Sequence, residues 1–188
     1  QYIRADKVLR LTMLLHDVAK PVCRTEDENG IHHFHGHPQV GAEMSRKILR
    51  RLKFDNDTIH RVMALVRAHD DRPPLQGRSV RRAIYRNGTE QYPELFEVKR
   101  ADILAQSSFL QQEKLLYVDR YEHMYQQIME KEQCLSLKEL AVNGSDLIAR
   151  GVQPGKEIGE ILHQMLEKVL EEPELNEKEV LLAWYFKA

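Results

Sequence analysis

LLHDVAKP, residues 14–21, decides how this chain is read. It closes an apolar run and ends on a proline, so it marks the end of a buried helix. At that end stand His16 and Asp17, side by side. Two readings are open. The pair can cap the helix, with Asp17 accepting from Lys20, or it can supply two ligands to a metal ion. Neighbouring helical residues point about 100° apart. His16 and Asp17 therefore share no face, but they can converge on an ion lying between their directions, just past a helix end.

Outward from this stretch, helical patterns dominate. Residues 5–18 read as a mostly buried helix. Residues 22–35 hold the turn-like Asp27-Glu28-Asn29-Gly30 between two short segments, either a hairpin or a loop. Pro38 suits a first helical position, and Val40, Met44, Ile48 and Leu52 follow at spacing four. Asp57 is expected to open the next helix and Ser79 to cap a short one that stops at Asn87-Gly88. Thr89 starts another, running past Asp102. Residues 109–132 read as a long charged amphipathic helix. Ser136 is expected to cap one more, and Asn176 the last. In the tail, Gly151 and Pro154-Gly155 suit a tight turn between two helices, and Gly159 suits close helix packing. A phosphate-binding role for that helix start is the alternative. The expected fold is all-α, with at most one short β-hairpin near 22–35.

The 188 residues suit one domain with an appendage. Hydrophobic residues make up 42% and charged residues 30%, the balance of a soluble globular protein. Only Cys23 and Cys134 occur, which argues against a disulfide framework and points to a reducing, cytoplasmic setting. No run approaches the length of a membrane span, and no membrane partner is expected. The chain begins at Gln1 rather than a methionine, and we expect a piece of a longer enzyme.

The net charge of −1 conceals an asymmetry. Residues 46–86 carry twelve Lys/Arg against four acids, a net of +8, whereas residues 143–188 carry a net of −4. Arg46, Arg50, Lys53 and Arg67 suit outward helix faces, and "RSVRRAIYR" adds Arg81 and Arg82. Such a surface would contact phosphates without reading base sequence. A merely solvated charged face is the other reading.

Four places bear on metal chemistry: His16-Asp17; "HHFHGHP" with His32, His33, His35 and His37; "RAHDD" with His69, Asp70 and Asp71; and "RADILAQ" with Asp102. Any one of these is more often ordinary than functional. Imidazoles and carboxylates supplied one or two at a time by several helices would nevertheless suit a first-row divalent ion. Such an ion makes a nucleophile of water at neutral pH.

"LLHDVAKP" resembles the signature of the HD superfamily of metal-dependent phosphohydrolases. The stretch from Leu9 to Asp70, with "GHPQVGAE" inside it, is similar to the HD-domain region of bacterial tRNA nucleotidyltransferases, the CCA-adding enzymes. The tail "DLIARGVQPGKEIG" resembles their C-terminal module. The matches run from about Leu9 to Asn176. The resemblance implies an HD-type helical domain over residues 1–108, then a linking helix and a tRNA-holding module over 109–188. It assigns His16 and Asp17 as paired ligands and Asp102 as the closing aspartate, with His37 and His69 as added ligands able to support a second metal. Lys20 would neutralise either a phosphate or Asp17. The expected cofactor is a divalent metal (Mg, Mn, Ni, Co, Zn or Fe). The expected partners are tRNA and a nucleotide or phosphoester. Two departures stand beside this: no histidine precedes His16, and nothing resembles a nucleotidyltransferase head. Two functions follow. The site is a phosphoester hydrolase, within the longer enzyme or as a stand-alone HD phosphohydrolase, with His16, Asp17 and Lys20 in catalytic roles, or the chain is a non-catalytic tRNA-binding body with an inherited remnant.

Overall fold

The computed structural model describes residues 3–131 and 133–187. Among the described residues the fold is helical with one two-stranded antiparallel ribbon, as expected. It comprises two compact units. The first holds residues 3–72 and 87–120, and the second holds residues 73–86 and 121–187. The segment 73–86 thus clusters with the tail rather than with the residues on either side of it.

In the first unit, α1 (Lys7–Leu15) starts where the Asp6 carboxylate accepts the Leu9 N–H at 3.0 Å. Val8, Leu9, Thr12 and Leu15 bury one face of it. The chain then turns through His16–Ala19 into the single-turn α2 (Lys20–Cys23). The hairpin is real: β1 (Thr25–Glu26) pairs with β2 (His32–His33), with Thr25 opposite His33. Asp27 closes its turn by accepting the N–H groups of Asn29 and Ile31. Gly36, at φ +76°, supplies the left-handed residue from which α3 (His37–Arg51) departs. α3 lies along α4 (Asn56–Ala68), and α1 and α6 (Tyr92–Ala105) complete the packing. Leu9, Leu49, Val62, Leu65, Val66 and Phe96 are all but sealed from solvent.

Several expected boundaries move. Asp55, not Asp57, caps α4, accepting from both the N–H and the hydroxyl of Thr58. Ser79 lies inside α5 (Gly77–Asn87) rather than at its start, and α6 begins at Tyr92 rather than Thr89. The long helix is α7 (Gln111–Glu130), and Glu132 lies outside the described residues.

In the second unit the segment after Ser136 makes turns instead of a helix. The Ser136 hydroxyl and the Leu135 N–H both donate to Glu139, so the cap-like sequence is spent on a local turn. Asn143 opens α8 (Gly144–Ala149) with a reciprocal capping box to Asp146. The longer α9 (Lys156–Glu171) follows. Close approach occurs at Gly144, where an added Cβ would meet Ile158 Cγ2 at 3.2 Å. At Gly159 it would meet nothing within 4 Å, contrary to expectation. After a 3-10 turn at Pro173–Leu175, α10 (Lys178–Phe186) ends the fold. Asn176 does not cap it. Its side chain bonds Ala141 N–H and Glu139 O, pinning the turn segment.

Candidate metal centre

The turn after α1, the first turn of α3, the end of α4 and the last turn of α6 bring His16, Asp17, His37, His69 and Asp102 together in the first unit. The helix ends are what make this possible. A residue at a helix terminus lacks neighbours on one side, so its ring can turn back along the axis. Each histidine does so in the same way. His16 Nδ1 lies 2.8 Å from Met13 O, His37 Nδ1 2.9 Å from Phe34 O, and His69 Nδ1 2.7 Å from Val66 O. A carbonyl oxygen only accepts, so each Nδ1 carries the proton and donates it. In the neutral rings all three Nε2 atoms are then lone pairs, and they face inward. A carbonyl behind each imidazole is the usual support of a metal-bound histidine.

Asp17 stands in the middle. Its Oδ1 lies 3.5 Å from His37 Nε2 and 3.7 Å from His69 Nε2, and those two nitrogens are 3.3 Å apart. One atom each from Asp17, His37 and His69 fall within 4.8 Å of one another. On the other side, Asp17 Oδ2 lies 3.3 Å from His16 Nε2, which is also 3.3 Å from Asp102 Oδ1. Asp17 therefore offers one oxygen to each half of the cluster.

The donor set fits a cation. Ligand atoms bound at about 2.1 Å around one ion sit roughly 3.0–3.4 Å apart, close to the separations here. His16 Nε2 and Asp17 Oδ1 are both buried without a hydrogen-bond partner. Buried polar atoms are rarely left this way unless something else satisfies them. Lone pairs and carboxylates converging without a positive charge between them would repel. The titration behaviour divides the rings by their surroundings. Burial opposes a charge on His16, yet Asp102, the Met13 carbonyl and Asp17 together raise its pKa. Burial also works against the Asp102 carboxylate, but the contacts with His16 and Gln106 hold its pKa low. At His69 burial wins and the pKa falls, which keeps a lone pair available for an ion.

The other sequence-predicted residues sort by partner. Lys20 Nζ lies 2.6 Å from Asp17 Oδ2, so it neutralises that carboxylate. His32 and His33 pair with Glu26 and Asp27 on the hairpin, and His35 stacks on His33; none joins the cluster. In the first unit, Arg46 pairs with Glu43 at 2.6 Å, and Arg67 reaches the same carboxylate at 3.6 Å. Arg50 and Lys53 are exposed. In the second unit Arg82 pairs with Glu167. Arg81 is buried, and its guanidinium donates to Leu170 O and Glu171 O, capping the end of α9. A side chain so committed is a structural cap rather than a surface contact for nucleic acid.

Two residues escaped the sequence reading. Lys99 is buried in α6, and its Nζ donates to the carbonyls of Ala68, His69 and Asp71 at 3.4, 2.8 and 2.6 Å. It closes the end of α4 where His69 sits. Gln106 donates to Asp102 Oδ2 at 2.9 Å and orients that carboxylate. The signal for Lys99 was its place three residues before Asp102, on the same helix face among apolar neighbours.

Comparison with known proteins places the chain in a family. Residues 25–185 match the family model for tRNA nucleotidyltransferase domain 2. The chain belongs to that family. It is 35% identical over 159 residues to a CC-adding tRNA nucleotidyltransferase of Thermus thermophilus, covering 84% of this chain and 35% of the relative. It is 33% identical over 167 residues to an A-adding tRNA nucleotidyltransferase of Deinococcus radiodurans, covering 87% and 38% respectively. The chain thus spans little more than a third of the length of these relatives. No solved structure matches. Among the described residues no helix is long and apolar enough to cross a membrane.

Proposed function

We propose that this chain is the helical body of a tRNA nucleotidyltransferase, and that its first unit carries an HD-type divalent-metal centre acting on phosphoesters. The family match and the named relatives support the first part. One observation carries the second: three imidazoles tied at Nδ1 to carbonyls present their Nε2 atoms around Asp17. His37, His69 and Asp17 would hold one ion, and His16, Asp17 and Asp102 would contribute on the other side.

A bound divalent ion supplies Lewis acidity and activates water. The chain's own residues do the rest. The three carbonyls fix ring orientation, Lys20 offsets charge on Asp17, and Gln106 aims Asp102. Arg50 and Lys53, exposed at and just past the end of α3, would offer cations to the tRNA backbone, while Arg46 and Arg67 share the Glu43 carboxylate. A second reading keeps the tRNA-holding body but makes the centre non-catalytic. It is favoured by Lys20, whose ammonium already neutralises the Asp17 carboxylate at 2.6 Å.

The test is metal content of the purified chain by elemental analysis, together with turnover of a generic phosphodiester in Mg²⁺, Mn²⁺, Ni²⁺ or Co²⁺. About one or two ions per chain with turnover, both lost in the His16→Ala/Asp17→Ala variant while tRNA binding persists, is the expected result. Metal-free protein without turnover, still binding tRNA, would leave the non-catalytic body.

A further inference from the structure

The ribbon of β1 and β2 gathers metal-ligating side chains that take no part in the cluster. Side chains two apart on a strand share a face. Thr25 stands opposite His33, and Glu26 opposite His32. One face of the ribbon therefore carries His33, with His35 and Asp27 in contact with it, and the other carries Glu26 and His32.

The two faces are occupied differently. Arg24 donates to His32 Nε2 at 2.6 Å, and Glu26 lies 3.5 Å from its Nδ1, so both nitrogens of that ring have charged neighbours, one of them a cation. On the first face Asp27 divides its carboxylate. Oδ1 accepts the N–H groups of Asn29 and Ile31 and builds the turn, while Oδ2 meets His33 Nε2 at 2.9 Å. A carboxylate only accepts, so that nitrogen carries the proton. Ligand atoms at right angles, about 2.0–2.1 Å from one ion, lie about 2.9 Å apart. A divalent ion can thus take the proton's place between Asp27 and His33 and release it to solvent. The His35 ring lies nearly parallel to His33, with 7° between planes and 5.4 Å between centroids. It is exposed, and its nitrogens have no hydrogen-bond partner among the described residues. A turn about its own torsions brings a third ligand atom to the same ion.

We propose that Asp27, His33 and His35 form a second metal site, which takes a late first-row divalent ion such as Zn²⁺ or Ni²⁺. Two imidazoles and one carboxylate suit these ions better than Mg²⁺. The ion clips the turn of the ribbon to its returning strand. β1 and β2 hold two residues each, mostly exposed, and a ribbon that short is marginal by itself. None of the three residues belongs to the cluster around Asp17, so this site stands or falls without the metal-centre reading.

Zinc titration of the full chain, followed by the side-chain nitrogen resonances of the histidines, tests the site. The His33 and His35 resonances should move together and saturate as a single site, while His32 stays still. Mg²⁺ at the same concentration should move neither. The Asp27 N–H donates to Ile31 O across the turn at 3.0 Å, and it should exchange with solvent about tenfold more slowly once zinc is bound. His33→Gln and His35→Gln should each weaken zinc at least about tenfold, read on the histidine that remains. Asp27→Asn keeps an acceptor for the turn but removes the charge, and should weaken zinc likewise. Movement of one ring alone, an equal response of His32, the same response to Mg²⁺, or unaltered zinc affinity in all three variants would each overturn the proposal. Shifts confined to His16, His37 and His69 would assign the zinc to the cluster and overturn it too.

Discussion

His37 Nε2 lies 3.3 Å from His69 Nε2, while both rings are tied at Nδ1 to backbone carbonyls. Two neutral imidazoles held this way aim lone pairs at each other, so a cation or a proton must separate them. Adding a divalent ion should therefore stabilise the chain. At a hundredfold excess over the dissociation constant the gain is about 2.7 kcal/mol. For a chain of this size that corresponds to a rise of about 5–10 °C in melting temperature. Thermal melts in EDTA and in Mn²⁺ measure it. His37→Ala and His69→Ala should each abolish the shift; a shift that survives both would place the ion elsewhere.

Acid should unfold the first unit through its helix caps. The Thr58 N–H and hydroxyl hold the Asp55 carboxyl far below its ordinary pKa, and the Leu9 N–H holds Asp6 below its own. For a depressed carboxylate the stabilisation is complete above the unfolded pKa and is lost as pH falls through the folded one. The loss therefore begins below about pH 4. Asp55→Asn keeps a cap but removes the titration. Circular-dichroism melts between neutral pH and strong acid should show a shallower acid limb for this variant, and an unchanged limb would rule the cap out as a cause.

The sequence made the helical class and the hairpin readable because both depend on local pattern. Apolar spacing marks α1, α3 and α4, and an Asp-Glu-Asn-Gly turn marks the ribbon. The five cluster residues were legible as chemistry-bearing types, and four helix ends or faces had to meet before they could act together. What the sequence concealed were choices between competing partners. Ser136 looks like a cap but bonds Glu139 in a turn. Arg81 sits in a basic run, yet the open carbonyls at the end of α9 claim it. Lys99 draws no notice in the sequence until α4 is seen to end against it. Each was decided by a segment distant in the chain or by a local alternative that spacing does not register.

Lys53 sets stability against its proposed role in binding. It follows α3 at φ +60°, where its N–H bonds Arg50 O and the Phe54 N–H bonds Leu49 O. That is the helix-ending pattern in which glycine is the usual left-handed residue. Lys53→Gly should therefore raise stability by up to about 1 kcal/mol. If the exposed lysine contacts the tRNA backbone, the same change should weaken tRNA binding and reduce the salt-dependence slope by about one ion. Melting curves and a salt titration of tRNA affinity read the two effects. A more stable variant with unaltered affinity would remove Lys53 from the interface.

Lys99 positions the cluster from behind. Its ammonium joins three carbonyls at the end of α4, the His69 carbonyl among them, and burial brings its pKa down to about 8. Lys99→Met keeps the apolar stem and removes the donors. The stranded carbonyls should cost about 1–3 kcal/mol. The slackened support of His69 should weaken metal binding about tenfold, as loss of a supporting contact behind a ligand does. Alkaline pH gives a readout that lost packing would not. Between about pH 8 and the ordinary lysine pKa near 10.4, the unfolded chain holds a proton that the folded chain has released, so stability should rise with pH. The contribution is fullest above the unfolded pKa and is lost as pH falls through about 8. Lys99→Met should flatten that rise while lowering the whole curve. A variant that loses stability but keeps the alkaline rise would assign the titration to another group, and one that keeps full metal affinity would reduce Lys99 to a helix cap.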